Sequence, residues 1–350
     1  MSNFYKLSIQ EIKRETSQTV SVLFNVPMEL QPLYQFIAGQ YVTLKLTLDG
    51  VEIRRAYSIC SSPTSGELRI AIKAIKNGTF SKFANEKLAV GNVLEVGIPE
   101  GKFVLEPSTN NQNNYLVFTA GSGITPIVSI LQSVLEHEPK SNFVLIYGNK
   151  NPKETIFYNL LQDLQEKYSQ QLFIHFVYSE VKVSETQFGR INKSIVNYIL
   201  HTKHKNLSFS TVYLCGPEQM INNVTEVLLE NSIPKEAIKF ELFAASNAEN
   251  TITDTHNEHT KVTFLVDGVE TSLEMSNKQS LLEVAVKNGV DAPYSCQGGV
   301  CSSCLARVTT GSAMMKKNAI LTDSEIAEGL VLTCQAYPTS NTLFVNFDDV

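Results

Sequence analysis

Four cysteines crowd the last 55 residues in the pattern Cys296-x4-Cys301-x2-Cys304, followed by 29 intervening residues and then Cys334. Three thiols from one tight loop plus a fourth from far along the chain is the ligand spacing described for [2Fe–2S] clusters. Gly298 and Gly299 stand inside that loop, where missing side chains let backbone N–H groups approach cluster sulfurs and tune their potential. A structural zinc site also uses four thiolates, but it usually presents two C-x2-C knuckles; one knuckle, a four-residue spacer and a distant single cysteine fit that pattern poorly. The remaining cysteines, Cys60 and Cys215, stand alone, and the start MSNFYKLSIQEIKRETSQTV has no apolar secretory core. In such a chain clustered cysteines bind metal or do redox work more often than they form bridges.

At 350 residues, two to three domains are expected from roughly 150 residues each. The segments YVTLKLTLDG (41–50), ELRIAIKAI (67–75) and LEVGIPEGKFVL (94–105) are short, β-branched and partly alternating, the style of an antiparallel barrel. The polar run PSTNNQNN (107–114) marks a boundary. Beyond it, apolar runs YLVFTA, FVLIYG, LFIHFVYS and TVYLCG alternate with amphipathic stretches, which implies a doubly wound α/β domain with a parallel sheet. AASNAENTITDTHNEHT (244–260) is polar and aperiodic, a linker by composition. KVTFLVDGVETSLEM then carries a hairpin signal at Asp267-Gly268, and SLLEVAVKNG reads as a helix ending at Gly289. The expected domains are 1–108, a barrel; 109–245, α/β; 246–260, linker; and 261–350, the cysteine domain. VLTCQAY is expected to bring Cys334 in on a late strand.

Three further segments suit a phosphate-bearing ligand. GSGITP, residues 121–126, follows an apolar run and opens a helical one, so a diphosphate could lie against a helix N-terminus. CGP at 215–217 ends another apolar run, and both loops fall at the carboxyl edge of a parallel sheet, where α/β folds bind ligands. In the barrel, RRAYSICSSP (54–63) sets an arginine, a tyrosine and serines beside a turn. Such a group can hold an anion with a guanidinium fork and stack an aromatic ring. Read singly, each has a plain alternative: a tight turn, a core Cys215, a strand end with a solvated arginine.

Together they resemble known families. PYSCQGGVCSSC and LTCQ, over 261–350, resemble plant-type ferredoxin and imply its β-grasp fold. RRAYSICSSP, NGTFSKFA, GSGITP and CGPEQM resemble the ferredoxin–NADP reductase superfamily. That resemblance implies FAD held by Arg55, Ala56, Tyr57 and Ser58, by Ile72 and Lys73 through the backbone, and by Gly78, Thr79, Phe80 and Ser81. It implies NAD(P)H held by Gly121, Ser122, Gly123, Thr125, Pro126, Ser179, Cys215, Gly216 and Pro217. Ser58 and Cys215 are the catalytic candidates, and Cys296, Cys301, Cys304 and Cys334 the cluster ligands. Glu241 and Phe243 close the reductase portion, where the family often sets an aromatic beside the flavin. NADP-preferring relatives tend to carry Ser-Arg where this chain reads Ser179-Glu180. An acid there favours a ribose 2′-hydroxyl, while Lys150 or Lys182 could compensate.

The implied activity is an NAD(P)H-dependent flavin iron–sulfur oxidoreductase that splits a hydride's two electrons and passes them singly to a partner protein. The domain order resembles the reductase subunits of multicomponent oxygenases, those of phenylacetyl-CoA epoxidase systems above all, with other ring-oxygenase or hydroxylase reductases and general ferredoxin- or flavodoxin-type reductases as the alternative. A net charge of -6 offers no basic footprint for nucleic acid. The uncharged stretch 107–135 is broken by GSGITP and reads as strand, loop and helix rather than a membrane span. A cytoplasmic protein is expected. The pairs His201/His204 and His256/His259 lack a carboxylate at diagnostic spacing and read as solvated surface residues.

Overall fold

A computed structural model describes residues 4–48, 50–76, 78–243, 259–318 and 320–350. The chain divides into two compact units: Tyr5–Ile53 with Tyr57–Phe243, and Ala244–Val350 with Met1–Phe4 and Arg54–Ala56. The expected linker lies outside the described residues up to position 258.

In the larger unit, β1 (Phe4–Thr16), β2 (Thr19–Asn25), β3 (Tyr41–Leu48), β4 (Val51–Ser58), β5 (Leu68–Lys73), helix α1 (Thr79–Glu86) and β6 (Val93–Gly97) build the barrel. Its sheet order is β4-β3-β6-β1-β2-β5. Val22 pairs antiparallel with Ile12 on one side and Ile70 on the other. The two sheet edges meet where Ile59 bridges Ile70 and the Cys60 N–H donates to the Arg69 carbonyl at 2.8 Å. Closure of this kind removes exposed strand edges. Val20, Val22, Phe24, Leu44, Ile70 and Ile72 fill the interior.

The α/β part follows: β7 (Asn114–Ala120), α2 (Ile124–His137), β8 (Asn142–Asn149), α3 (Tyr158–Lys167), β9 (Leu172–Tyr178), β10 (Gln187–Phe188), α4 (Lys193–Tyr198), β11 (Thr211–Cys215), α5 (Glu218–Glu230) and β12 (Ile238–Glu241). The sheet is parallel in the order β10-β9-β8-β7-β11-β12. The four apolar runs became β7, β8, β9 and β11, and two edge strands join them. β10 is only two residues long and β12 is half exposed, so neither shows an apolar run. The chain steps outward from β7 to β8 and β9, then crosses back to β11, so the switch point lies between β7 and β11. Ligands of such sheets bind outside the carboxyl ends of the strands at that point.

Barrel and α/β part share a core in which Phe103 and Leu105 join Ile127, Ile130 and Tyr213. Ser129 Oγ donates to the Ser61 carbonyl at 2.7 Å, and the Tyr213 hydroxyl to Val104 O at 3.2 Å. The boundary segment is tied down by a buried acid. Glu138 is 0% exposed and accepts from Tyr115, Ser141, Asn111 Nδ2 and the Ser108 N–H. Buried carboxylates persist only with such a full complement of donors.

One histidine reading needs correction. His204 is half-buried, its Nε2 lies 2.8 Å from His175 Nε2, and burial lowers the pKa of both rings. A site on β9 thus recruits a residue the sequence pattern paired with its neighbour. His201 is exposed and bonds Asn231 Oδ1, and His259 begins a strand; His256 is outside the described residues.

The C-terminal unit comprises β13 (His259–Val266), β14 (Val269–Ser276), α6 (Leu281–Lys287), β15 (Leu305–Thr310), β16 (Ala313–Met315), α7 (Asp323–Ala327), β17 (Leu330–Leu332), β18 (Ala336–Pro338) and β19 (Thr342–Asn346). The main sheet runs β14-β13-β19-β15-β17, with β13 and β19 parallel and β16–β18 forming a separate pair. Val262, Phe264 and Val345 pack with Leu281 and Ala285 of α6, the expected β-grasp. The first hairpin turns on Asp267 and Gly268, both left-handed at φ 50° and 74°, as a two-residue type I′ turn requires. Cys334 lies in a turn between β17 and β18 rather than within a strand. Among the described residues, no helix is long and apolar enough to cross a membrane.

Candidate active site and cluster loop

In the barrel, β4 carries Arg55, Ala56, Tyr57 and Ser58. Arg55 is exposed, and its Nη1 donates to the Arg54 carbonyl at 2.6 Å; Ala56 and Tyr57 are half-buried and Ser58 is buried. Strand alternation sets Arg55 and Tyr57 on one face. The Tyr57 ring lies 5.7 Å from that of Phe80, in the first turn of α1. Gly78 starts that helix without a side-chain cap, and no acid occupies its first turn. A β-carbon at Gly78 would collide with Ser81 Oγ and lie 2.5 Å from Ile75 Cγ1, so a larger residue there would require those side chains to shift. Thr79 is exposed and Ser81 is buried, its Oγ accepting from the Ile75 N–H at 3.3 Å. Uncapped first-turn N–H groups free of nearby carboxylates suit a phosphate, so the residues present fit a diphosphate-bearing flavin.

Across the α/β sheet, parallel register aligns Thr119, Cys215 and Glu241 at the carboxyl ends of β7, β11 and β12. The two loops expected from sequence press together there. A β-carbon at Gly123 would collide with the Cys215 carbonyl oxygen and lie 2.9 Å from Gly216 N, and one at Gly216 would lie 3.1 Å from Ala120 N. Thr119 Oγ1 donates to Cys215 O at 2.8 Å. Ser58 Oγ reaches Glu241 Oε2 at 3.4 Å. Packing around its carboxyl pushes Glu241 up to about 8, partly offset by the Ser58 hydrogen bond. Cys215 is fully buried; burial first, then the Glu241 charge, raises its pKa well above the usual thiol range, so it is a thiol.

A cavity of about 510 Å³ opens beside these loops. Of the nine expected coenzyme residues, Gly121, Ser179 and Pro217 line it. Ser122 and Gly216 are half-buried outside its lining, and Gly123, Thr125, Pro126 and Cys215 are buried and shape the loops instead. Its wall also holds Lys73, Lys150, Glu154, Glu180 and Arg190. Glu180 pairs with Lys150 at 3.4 Å, while Lys182 lies over the Phe188 ring at 5.4 Å. Ile72 is buried in the barrel, yet the next residue sends its side chain to the coenzyme loop. Sequence reasoning noted Glu241 only as a closing residue. It lies 183 residues from Ser58, and only the parallel pairing of β12 with β11 exposes its relation to Cys215.

The cysteine loop connects α6 to β15. The four thiols fall into two pairs: Cys301 Sγ lies 3.0 Å from Cys296 Sγ, and Cys304 hydrogen-bonds Cys334. The second pair follows from strand register, since Leu305 opposes Leu332 and the Thr333 N–H and hydroxyl both bond Cys304 O. Among the described residues no three His, Cys, Asp or Glu side chains gather around one point. Two thiol pairs fit a two-iron centre, with two thiolates for each iron. Gly298 N–H points at Cys296 Sγ at 3.3 Å. The Cys301 hydrogen bond, then those from backbone N–H groups, hold Cys296 down to about 6 against its burial. Gly299 is left-handed at φ 72°, and a β-carbon there would meet Gln335 Cγ at 2.9 Å and Lys317 O at 3.2 Å. Gln335 Nε2 in turn donates to Gln297 O at 3.0 Å, joining the two cysteine segments.

A flavin barrel, a nicotinamide lobe and a two-iron β-grasp on one chain define a pyridine-nucleotide-dependent iron–sulfur flavoprotein reductase. Family models agree segment by segment: an oxidoreductase FAD-binding domain at 6–105, an oxidoreductase NAD-binding domain at 117–226 and a 2Fe-2S iron-sulfur cluster binding domain at 264–339. The chain belongs to the family of three-domain oxygenase reductases represented by a component of the 1,2-phenylacetyl-CoA epoxidase of Escherichia coli (strain K12), to which it is 36% identical over 99% of each chain. The 3-ketosteroid-9-alpha-monooxygenase ferredoxin reductase component of Rhodococcus rhodochrous is 30% identical, over 97% of this chain and 96% of the relative. Phthalate dioxygenase reductase shares the fold, with a TM-score of 0.63 and 24% identity over 99% of this chain and 98% of the other.

Proposed function

We propose that this chain oxidises NADH or NADPH and delivers electrons singly to the oxygenase component of a phenylacetyl-CoA epoxidase system in the cytoplasm. The carrying observation is the meeting of Ser58 from the flavin-signature strand with Glu241 beside Cys215. It brings the barrel's expected flavin edge to the carboxyl edge of the coenzyme lobe. The similarity to the Escherichia coli epoxidase component along the whole chain supports the pathway.

When bound, FAD supplies the conversion of a two-electron hydride into single electrons, which the cluster relays onward. The chain's residues set the stage for that exchange. Arg55 would neutralise the FAD diphosphate, with the α1 N–H groups from Gly78 to Ser81 taking the rest of its charge. Tyr57 would pack on the isoalloxazine, with Ala56, Ile72 and Lys73 lining it through their backbones. Gly121, Ser122 and Gly123 would cradle the coenzyme diphosphate at the start of α2, where Thr125 Oγ1 bonds Ser122 O at 3.0 Å and steadies the turn. Thr125 and Pro126 would act through that packing, Ser179 at the adenosine ribose, and Gly216 and Pro217 at the nicotinamide loop. Cys215, as a neutral thiol, excludes water from the hydride path. Glu241 holds a proton at its carboxyl near neutral pH, within hydrogen-bond distance of Ser58 Oγ.

The test is anaerobic titration of the purified holoprotein with each coenzyme, followed by addition of the epoxidase oxygenase component, oxygen and phenylacetyl-CoA. Flavin and cluster bleaching, then coupled epoxide formation, is expected. Bleaching without product on any addition of that oxygenase would leave a general reductase and refute the pathway.

A further inference from the structure

The residues ahead of the first and last cysteines of the cluster set both carry a hydroxyl: Ser295 precedes Cys296 and Thr333 precedes Cys334. The two hydroxyls are used differently. Thr333 is 0% exposed, and its Oγ1 donates to the Cys304 carbonyl at 2.9 Å. Ser295 is 1% exposed, yet its Oγ has no hydrogen-bond partner among the described residues. Burying a hydroxyl without a partner costs free energy, and native proteins rarely leave one so. None of the four cysteine sulfurs accepts from it, although Cys296 Sγ receives the Gly298 N–H at 3.3 Å. The stretch 293–304 holds no charged residue, so within it only hydrogen-bond donors can offset negative charge. An unspent donor beside a ligand cysteine points to an acceptor that the chain itself does not supply.

We propose that the Ser295 hydroxyl donates a hydrogen bond to a bridging sulfide of the two-iron cluster and so raises the cluster's reduction potential. The proposal rests on the reading of Cys296, Cys301, Cys304 and Cys334 as cluster ligands and adds a side-chain donor to them. A sulfide rather than a thiolate is the acceptor, because none of the four Sγ atoms bonds the hydroxyl. Reduction adds one electron, whose negative charge spreads onto the sulfurs. The hydrogen bond is therefore stronger in the reduced cluster than in the oxidised one, and the difference favours reduction. No proton leaves Ser295 in this exchange: the electron, drawn from the coenzyme by way of the flavin, is all that the cluster gains. Thr333, its hydroxyl held by the Cys304 carbonyl, is already spent on the fold. The two residues thus divide between fixing the loop and setting the potential.

The test is a redox titration of the purified holoprotein, with the reduced cluster followed by electron paramagnetic resonance. In Ser295→Ala the ratio of reduced to oxidised cluster at a fixed poise should fall roughly 3- to 10-fold, as expected for losing one hydrogen bond. At about 59 mV per tenfold for one electron, the midpoint then becomes more negative by roughly 30–60 mV. Iron and sulfide content, the flavin midpoint and the rate of flavin reduction by coenzyme should match the parent. Transfer into deuterated water should shift the bridging Fe–S resonance Raman bands of the parent. Ser295→Ala should lose part of that shift, while the thiolate bands keep theirs. Ser295→Thr, which retains the hydroxyl, should stay near the parent's potential. An unchanged or raised midpoint in Ser295→Ala would overturn the proposal and leave the hydroxyl to a buried water. Failure of Ser295→Ala to hold iron would overturn it too, by making the hydroxyl a support of the loop. A parent protein without iron and sulfide would remove the cluster reading and the Ser295 role together, whereas an iron-loaded parent and variant of equal potential would remove only the latter.

Discussion

The cluster loop and the flavin–nicotinamide site reach similar precision by opposite routes. Three of the four proposed cluster thiols lie within nine residues, and the fourth arrives through a single strand pair, Leu305 against Leu332. The other site draws Ser58 and Lys73 from the barrel, Gly121 and Cys215 from two strand ends, and Glu241 from an edge strand. A site written mostly in one loop tolerates changes elsewhere in the fold, whereas one assembled across sheets inherits every packing error between them.

The cluster loop should give the sharpest response. Cys304→Ser is expected to abolish iron binding and lower transfer to a one-electron acceptor by at least ~100-fold, with coenzyme oxidation by a two-electron acceptor kept within about twofold. Iron analysis and parallel assays with cytochrome c and a quinone check it; equal loss in both assays would break the distinction between the two sites. Next comes Gly123→Ala, which sets a β-carbon against Cys215 O and forces the two loops apart. Displacement of that order costs roughly 100-fold in kcat/KM, and the cluster's spectrum should not change.

A remote support tests how far the assembled site depends on packing. Glu138→Leu removes the acceptor of Tyr115, Ser141, Asn111 and the Ser108 N–H. The loss should be about 3 kcal/mol in the unfolding of the FAD-containing part, since buried donors are left unpaired, read by flavin fluorescence in urea. A pH-linked effect concerns Glu241. Its folded pKa of about 8 lies above the ordinary 4.5, so between these values the folded FAD-free protein holds more proton than the unfolded one. Stability should therefore be fullest below about pH 4.5 and decline as pH rises toward 8, and Glu241→Gln should flatten that slope in urea titrations at stepped pH. An unchanged slope would place the carboxylate in water.

Much of this was legible in residues alone. The spacing of Cys296, Cys301, Cys304 and Cys334 announced a two-iron domain, which the 2Fe-2S family model at 264–339 matches, because two irons need a fixed thiol spacing. Asp267-Gly268 announced its hairpin because both residues tolerate φ above zero. The glycines of GSGITP could be read as a tight loop, but not as the surface against which Cys215 O packs. Glu241 and Lys73 were legible only as a closing residue and a backbone flavin contact; where their side chains lie carried no local signal, since an acid in an edge strand and a lysine at a strand end are ordinary surface residues in one dimension. His204 misled for the same reason, its partner being His175 rather than the nearer His201.

Chain order by itself determined three domains, their cofactor classes and the short loops, because backbone sterics, side-chain periodicity and ligand spacing act over a few residues. Tertiary structure alone decided which charges face the coenzyme cavity, which thiols pair, and which carboxyl holds its proton. Those outcomes depend on distances and desolvation between segments far apart in the chain, and such distances exist only once the sheets have closed.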